Sequence, residues 1–327
     1  MVKKSAPDMK IDKALLLIIA YKRLGNVYDI LKVAQSAGVT RSLIHIDKAK
    51  KDDPTTAAHQ LTFLQELGNN PVGLEIEVKV TDKNVGCAVN VLTGIDAAFQ
   101  SSEFCFILED DCIPTIDFFR FAIESQSYLS SDQNVWLTCG TQFLPAQLTN
   151  GKSIYSSFAL TWGWYTDARK WLEIREALFS KRQGPWSGAS LVERRYWKAG
   201  RRRALRGITD VWDTILVSKM REFGKKSILP PESLVKNVGD DEAATHTVAG
   251  SEWLHLKTGH FTSPIELANP KLNKVADDWI ARNVFRISYR HIVSTSISQV
   301  LDLFHLRQRR FTESLITRVE RRTSPLK

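Results

Sequence analysis

Three consecutive acidic residues, Glu109, Asp110 and Asp111, directly follow an apolar segment at 103–108 whose composition predicts a buried strand. Adjacent carboxylates repel one another, so their charge at the end of a buried strand costs free energy unless something offsets it. A divalent cation would offset it, and Mg²⁺ or Mn²⁺ held by one or two carboxylates commonly binds substrate phosphates as well. The triplet therefore predicts a site for a metal ion and a diphosphate, with a solvated acidic turn as the alternative.

The residues before the triplet alternate between apolar strands and amphipathic helices. Strands are predicted at 14–20, 42–46, 72–80 and 103–108, and helices at 24–38, 57–67 and 85–99. This alternation predicts right-handed βαβ units and a mainly parallel sheet flanked by helices. Ligands of such sheets bind beyond the carboxyl ends of the strands, which is where the triplet lies.

The second half of the chain has a less regular pattern. It predicts strands at 136–140 and 153–161, a helix at 165–178 and a loop at 183–188. From residue 261 strand character is lost, and the apolar residues between 293 and 304 form one helical face with a basic end. We therefore expect a flexible leader at 1–13, a main domain at 14–260 and a basic helical extension at 261–327.

Composition narrows the class of protein. The 327 residues are 43% hydrophobic and 25% charged, which excludes disordered and fibrous architectures. The longest apolar run, at 14–20, is far shorter than the ~20 residues of a spanning helix, and no secretory signal is recognisable. The four cysteines show no C-x-x-C spacing, which predicts a reducing, cytoplasmic setting.

The net charge of +9 is unevenly distributed. Residues 181–206 carry +8 and residues 282–327 carry +7, which leaves −6 for the rest of the chain. Such basic segments attract phosphates, anionic lipids and nucleic acids alike. We favour an anionic membrane surface or a phosphorylated acceptor as their partner; a C-terminal helix packed on the main domain is the alternative.

The sequence around the triplet, from Phe106 to Pro114 and then Asp117-Phe-Phe119, resembles the acidic metal motif of GT-A-fold glycosyltransferases. It is similar to bacterial nucleotide-diphospho-sugar transferases and, more distantly, to the N-acetylglucosaminyltransferase I family. Further segments occur in the order that this family shows, and together they cover roughly residues 14–250. They are Tyr21-Lys-Arg23, Asn84-Val-Gly-Cys87, Thr161-Trp-Gly-Trp164, Val211-Trp-Asp213 and the stretch 237–247. The resemblance implies a Rossmann-like GT-A domain at 14–260.

The resemblance implies a role for each acidic residue of the triplet. Asp111 would ligate Mn²⁺ or Mg²⁺, Asp110 would face the ribose or a metal-bound water, and Glu109 would hold the sugar or orient the site. His246 matches a late histidine that this family often uses as a second metal ligand, with a structural histidine as the alternative. The acidic residues at 240–242 depart from the glycine-rich loop of the relatives.

Four other residues are implied to bind the nucleotide donor. Arg23 would contact the diphosphate through its planar guanidinium, and Asp47 would accept from the edge of the nucleobase. Lys83 and Asn84 precede a helix whose amide-rich start can face anionic groups.

Catalytic and acceptor-binding residues follow from the same resemblance. Asp213 matches the general base that an inverting transferase requires, with Asp210 as its competitor and helix capping as the alternative role for either. Retaining chemistry stays open. The indole faces of Trp162 and Trp164, with Gly163 allowing close approach, would stack on a sugar ring; core packing is the alternative.

The implied function is a metal-dependent hexosyl- or N-acetylhexosaminyltransferase. It would move a sugar from a nucleotide-diphosphate donor, a UDP-sugar first, to a hydroxyl of a glycan or glycolipid. A sugar-phosphate nucleotidyltransferase is one alternative, although only Gly25 stands where those enzymes carry a glycine-rich loop. A nucleic-acid-binding protein is the other, and no binding module supports it. The expected location is the cytoplasm, with peripheral attachment to its membrane.

Overall fold

The computed structural model describes residues 10–69, 72–239, 256–269, 271–288 and 315–320. Its strands are β1 (Leu15–Ala20), β2 (Arg41–Ile46), β3 (Glu75–Val80), β4 (Phe104–Glu109), β5 (Cys112–Pro114), β6 (Val135–Cys139), β7 (Ile154–Ser156), β8 (Trp164–Asp167), β9 (Lys226–Leu229) and β10 (Val235–Asn237). Its helices are α1 (Leu24–Ala37), α2 (Pro54–Asn69), α3 (Cys87–Ala98), α4 (Ile116–Ser131), α5 (Ala146–Thr149), α6 (Ala168–Phe179), α7 (Leu191–Leu205), α8 (Asp213–Phe223), α9 (Lys274–Asn283) and α10 (Leu315–Glu320). A 3₁₀ turn, Ile11–Lys13, precedes β1.

The central sheet has eight strands in the order β3-β2-β1-β4-β8-β6-β9-β7. Strands β3, β2, β1 and β4 pair in parallel, as do β6 and β9. Strand β8 is antiparallel to both β4 and β6, and β7 is antiparallel to β9. A separate two-stranded antiparallel sheet joins β5 to β10. This arrangement confirms the predicted α/β fold with a mainly parallel sheet flanked by helices.

Strand β1 is fully buried because hydrophobic clusters cover both faces of the sheet. Leu15, Leu17 and Ile19 belong to the cluster that includes α3, whereas Leu16 and Ile18 pack with α1 and α4. This alternation follows from the period of two along a strand. Each buried leucine or isoleucine side chain contributes about 1.5–3 kcal/mol to folding. Because β1 pairs with β4 as far as Glu109, the acidic triplet begins beside this buried strand.

In the first half of the chain the strand predicted at 72–80 begins at Glu75, and the helix predicted at 57–67 extends over Pro54–Asn69. In the second half, two predicted elements are shorter than expected. The helix predicted at 165–178 begins at Ala168, because residues 164–167 form β8 and its pairing with β4 and β6 outweighs the local helical pattern. The strand predicted at 153–161 is limited to β7, since Asp277 accepts hydrogen bonds from Ser156 and Ser157 and turns the chain there.

Several predictions concern residues outside the described ranges. These are the leader residues before 10, His246 with the acidic residues at 240–242, and the amphipathic helix at 293–304. Within the ranges that the structure describes, no helix combines the length and the apolar character that crossing a membrane needs.

The basic segment at 181–206 contains α7, which packs against α8 through buried ion pairs. Arg221 of α8 pairs with Glu193, and Arg201 of α7 pairs with Glu222. Lys219 lies 3.4 Å from Glu222, at the same pair. Removing one partner of such a pair leaves an uncompensated buried charge. These contacts fix the orientation of α8, the helix that begins at Asp213.

Candidate functional site

A cleft with a volume of about 460 Å³ opens beyond the carboxyl ends of β1, β2 and β4. This size is typical of a small-molecule site, which occupies roughly 300–1,000 Å³. The cleft brings together most of the residues that sequence analysis singled out: Arg23, Asp47, Asn84, Glu109, Asp110, Asp111, Trp162, Asp210 and Asp213. Lys83, Gly163 and Trp164 are not among its lining residues.

Asp110 holds the loop after β1. Its Oδ2 accepts hydrogen bonds from the backbone amides of Tyr21 at 2.8 Å and of Lys22 and Arg23, both at 3.2 Å. Burial and the neighbouring charge of Asp111 raise the pKa of Asp110 to about 6. The side chain is only 8% exposed. Asp110 therefore fixes the backbone of residues 21–23, a contact that the expected role, facing the ribose or a metal-bound water, did not include.

Asp47 organises the segment that leads into α3. Its carboxylate accepts from the amides of Val85 at 2.8 Å and Gly86 at 2.9 Å, and from Asn84 Nδ2 at 3.0 Å. Burial raises the pKa of Asp47, which is 3% exposed. These contacts use both carboxylate oxygens, so Asp47 shapes the cleft instead of offering an open acceptor to a nucleobase. Lys83 is exposed outside the cleft lining.

Asp210 caps helix α3 from a distant part of the chain. Its oxygens accept from the amides of Cys87 at 2.8 Å and Ala88 at 3.1 Å. Gly86 precedes these residues at φ 86°, and a Cβ there would lie 2.4 Å from Asp210 Oδ2, so only glycine fits. The amides at the start of α3 were expected to face anionic groups of the nucleotide donor. In the structure they donate to the Asp210 carboxylate instead.

Asp213 is the first residue of α8 and lines the same cleft. Its Oδ1 accepts from the Thr214 amide at 2.7 Å. Glu109 lies close enough for the charge of Asp213 to raise its pKa, after the larger effects of burial and Asp111. The hydrogen bond between the Trp212 indole and Glu109 opposes this rise. The carboxylates of Glu109, Asp111 and Asp213 therefore lie near one another in the cleft.

Asp111 lies between Arg23 and Cys112 at the cleft. Its Oδ2 lies 3.6 Å from Arg23 Nη1, and its Oδ1 accepts from the Cys112 thiol at 3.2 Å. A Cβ on Gly239 would come within 2.5 Å of Oδ2, so the glycine keeps space open beside this oxygen.

The donor set fits Mg²⁺ or Mn²⁺. Burial first, and the neighbouring charge of Asp111 second, raise the pKa values of Glu109 and Asp110, so a bound cation would lower the cost of ionising these groups. Within the described residues no three His, Cys, Asp or Glu side chains form a complete metal site. These ions usually take one or two protein carboxylates and complete their shell with substrate phosphates and water. Asp111 is the residue that would hold the ion.

Within the Trp162-Gly163-Trp164 segment, Trp162 lines the cleft and Trp164 is buried in the core. Trp164 is 1% exposed and stacks on Trp212, with ring centroids 5.7 Å apart. Gly163 has φ 71°, and a Cβ there would lie 2.7 Å from Val235 and 2.9 Å from Leu108. Both residues therefore serve packing, the alternative that sequence analysis left open. Trp162 lines the cleft, held edge-on by Phe143 at 5.1 Å.

Three residues that help to shape this cleft were not predicted from the sequence. Gln60 Nε2 donates to the carbonyls of Tyr21 at 3.0 Å and Asp47 at 2.8 Å, so one side chain joins two loops. Trp212 lies within a motif that was recognised, but its bond to Glu109 depends on tertiary structure. Arg318 reaches the cleft from α10. Its position between the apolar residues Leu315 and Val319 predicts a helix but not a place in the site.

No protein-family model and no curated protein matches the chain. Three solved structures that it resembles are HddC from Yersinia pseudotuberculosis, a mannosyltransferase from Pyrobaculum calidifontis with GDP-Man and Mn²⁺, and a UDP-glucose pyrophosphorylase with UDP-glucose. HddC has 10% identity and a TM-score of 0.27; the match covers 39% of this chain and 57% of HddC. The mannosyltransferase has 12% identity and a TM-score of 0.41, with 74% of this chain and 62% of that one covered. The pyrophosphorylase has 9% identity and a TM-score of 0.36, with 68% and 91% covered.

The chain spans less than two thirds of the length of HddC and of the mannosyltransferase. At these identities we transfer no residue role from any of the three proteins.

Proposed function

We propose that the protein is a metal-dependent glycosyltransferase that moves a sugar from a nucleotide-diphosphate donor to a hydroxyl group of a glycan or glycolipid. UDP-sugars are the first donors to test. The observation that carries the proposal is the meeting of Asp111, Arg23 and Asp213 in one cleft at the carboxyl ends of parallel strands. In this cleft Asp111 can bind a metal cation, Arg23 can bind a diphosphate, and Asp213 can act as a base.

The donor's diphosphate would bind beside Asp111 and Arg23. Arg23 presents a planar guanidinium, which suits two phosphate oxygens at once. A bound Mn²⁺ or Mg²⁺ supplies Lewis-acid stabilisation of the charge that develops on the departing nucleoside diphosphate. Trp162, at the rim of the same cleft, offers an indole face for a sugar ring.

Asp213 is the candidate general base. It would take the proton of the acceptor hydroxyl while the oxygen attacks the sugar carbon opposite the leaving diphosphate, which inverts the configuration. Its competitor Asp210 holds the amides of Cys87 and Ala88 with its two oxygens. A proton on Asp210 would remove the charge that these two amides stabilise and so weaken the cap, which favours Asp213 as the base.

A nucleotidyltransferase, the second candidate, needs free backbone amides after the first strand to cradle a triphosphate. Here the amides of Tyr21, Lys22 and Arg23 bind Asp110 instead. Gly25, the glycine of that region, lies within α1 and not in a loop. These contacts favour the glycosyltransferase.

The experiment that tests the function incubates the purified protein with UDP- and GDP-sugars, with and without Mn²⁺. We expect Mn²⁺-dependent release of the nucleoside diphosphate and Mn²⁺-dependent thermal stabilisation by that product. The same protein is also given nucleoside triphosphates with sugar phosphates. Release of pyrophosphate there, without diphosphate release from nucleotide sugars, would replace the glycosyltransferase by the nucleotidyltransferase.

The exposed face of α7 supports peripheral attachment to an anionic membrane. Arg195, Lys198 and Arg202 are exposed and, at spacings of three and four, lie on one helix face. A basic residue near an anionic surface contributes about 1 kcal/mol to binding. We expect the full chain to sediment with phosphatidylglycerol vesicles, and the triple change of these residues to glutamine to reduce the bound fraction strongly. Equal sedimentation of both proteins, or equal binding to phosphatidylcholine vesicles, would remove the attachment from the proposal.

A further inference from the structure

Helix α10 is anchored in the core of the main domain. Leu315 is 1% exposed and Val319 is fully buried, and both belong to the hydrophobic cluster that contains α3 and much of α8. Residues four apart lie on the same face of a helix, so these two side chains fix both the position and the rotation of α10. Arg318 directly precedes Val319 and lines the cleft.

The Arg318 guanidinium lies at the start of α3. Its Nη2 donates to the carbonyl of Val85, and a Cβ on Gly86 would lie 3.2 Å from the same nitrogen. The nearby amides of Cys87 and Ala88 already bind Asp210. Because a carboxylate already neutralises the positive end of α3, Arg318 is the cation that the described residues place at the start of this helix.

The acidic residues of the cleft outnumber its basic residues, so a positive charge at Arg318 would favour binding of an anionic ligand. Among the described residues that line the cleft, six are acidic and the basic ones are Lys22, Arg23, Lys50 and Arg318. Lys22 pairs with Asp53 at 3.1 Å, and Arg23 lies 3.6 Å from Asp111. A diphosphate entering among these carboxylates meets repulsion that one metal ion and Arg23 must otherwise offset. A guanidinium has five N–H donors in a planar fork, so it can bind phosphate oxygens while it keeps the Val85 contact.

We propose that Arg318 binds the phosphate oxygens of the nucleotide donor, so that the C-terminal helix α10 forms one wall of the donor site. The inference rests on the proposed function and adds a ligand-binding residue from a separate part of the chain. Arg23 holds the diphosphate from the loop after β1, and Arg318 holds it from the start of α3. Together they stabilise the charge of the leaving group.

The test measures binding of UDP, GDP and inorganic pyrophosphate by calorimetry, each with Mn²⁺. The main variant is Arg318→Gln, because glutamine keeps a polar side chain with an N–H donor but carries no charge. Loss of a charge-assisted hydrogen bond predicts affinity lower by about 10- to 100-fold for the ligand that the wild type binds. Arg318→Lys should recover part of the loss. Arg282→Ala, which removes an exposed arginine of α9 outside the cleft, should bind like the wild type.

Melting temperatures without ligand separate a structural role from a binding role. We expect Arg318→Gln and Arg318→Lys to melt close to the wild type, since Leu315 and Val319 still anchor α10. An Arg318→Gln protein that binds its ligand within twofold of the wild type would overturn the inference alone. Equal losses in Arg318→Gln and Arg318→Lys, together with lower melting temperatures, would also overturn it. A wild type that binds none of the three probes would overturn the proposed function as well.

Discussion

Replacing Asp111 by asparagine is expected to abolish metal-dependent turnover, with a loss of about 10³-fold or more. Asparagine preserves the shape of the side chain but removes the charge that would hold the cation beside the diphosphate. Metal ions contribute several kcal/mol to stabilisation of transition-state charge, and each 1.36 kcal/mol corresponds to about tenfold in rate. The measurements are the rate of nucleoside diphosphate release against Mn²⁺ concentration and the Mn²⁺-dependent thermal shift with UDP.

The Asp111→Asn protein should fold normally. The Asp111 backbone carbonyl, which accepts from the Val238 amide at 2.8 Å, is unaffected, and the substitution relieves repulsion with Glu109. A matched control is Asp278→Asn, which breaks a surface ion pair with Lys274 on α9 and should leave turnover unchanged. Wild-type metal-dependent turnover in Asp111→Asn would show that the triplet does not bind the metal.

The second large effect concerns Asp213. We expect Asp213→Asn to lower kcat by about 10²- to 10⁴-fold, the usual contribution of a positioned general base. The asparagine Oδ1 can still accept from the Thr214 amide, so the start of α8 is kept. Affinity for the donor should change little, because the base acts on the acceptor hydroxyl. Transfer kinetics and calorimetry with UDP, measured in parallel, check both expectations.

Asp210→Asn is the matched comparison for this prediction. An asparagine there retains one acceptor for the two amides at the start of α3, and losing part of a cap costs about 1 kcal/mol of stability. We therefore expect a lower melting temperature and less than a tenfold loss of kcat. If Asp210→Asn instead loses the transfer rate while Asp213→Asn retains it, the base is Asp210 and the assignment made from the resemblance is wrong.

The first half of the fold could be predicted because local pattern and tertiary environment agree there. Strand β1 is apolar at every position and is buried on both faces, and the helices that follow show their apolar spacing in the sequence. The helix predicted at 165–178 began too early because strand β8 depends on partners in β4 and β6 that lie far away in the chain. The spacing of apolar residues within one segment does not show which distant strands it pairs with.

The sequence could predict which residues line the site, but not which contacts each of them makes. Acidic residues at strand ends could be placed near one another from topology alone, and the cleft brings them together. Which carboxylate remains available for a ligand depends on the hydrogen bonds it makes. Asp47 and Asp210 bind backbone amides of one segment, 85–88, that lies far from both in the sequence. Residue type and spacing cannot reveal such an arrangement, and the same holds for Arg318.

The hydrogen bonds between Asp110 and the loop after β1 are useful for redesigning the ligand preference of the cleft. This carboxylate binds the main chain of residues 21–23, so these three hydrogen bonds do not involve the side chains that those residues carry. Lys22 and Arg23 can therefore be exchanged for other side chains while the backbone stays where it is. Libraries that randomise these two positions would sample new ligand preferences on an unchanged platform, as long as Asp110 is left untouched.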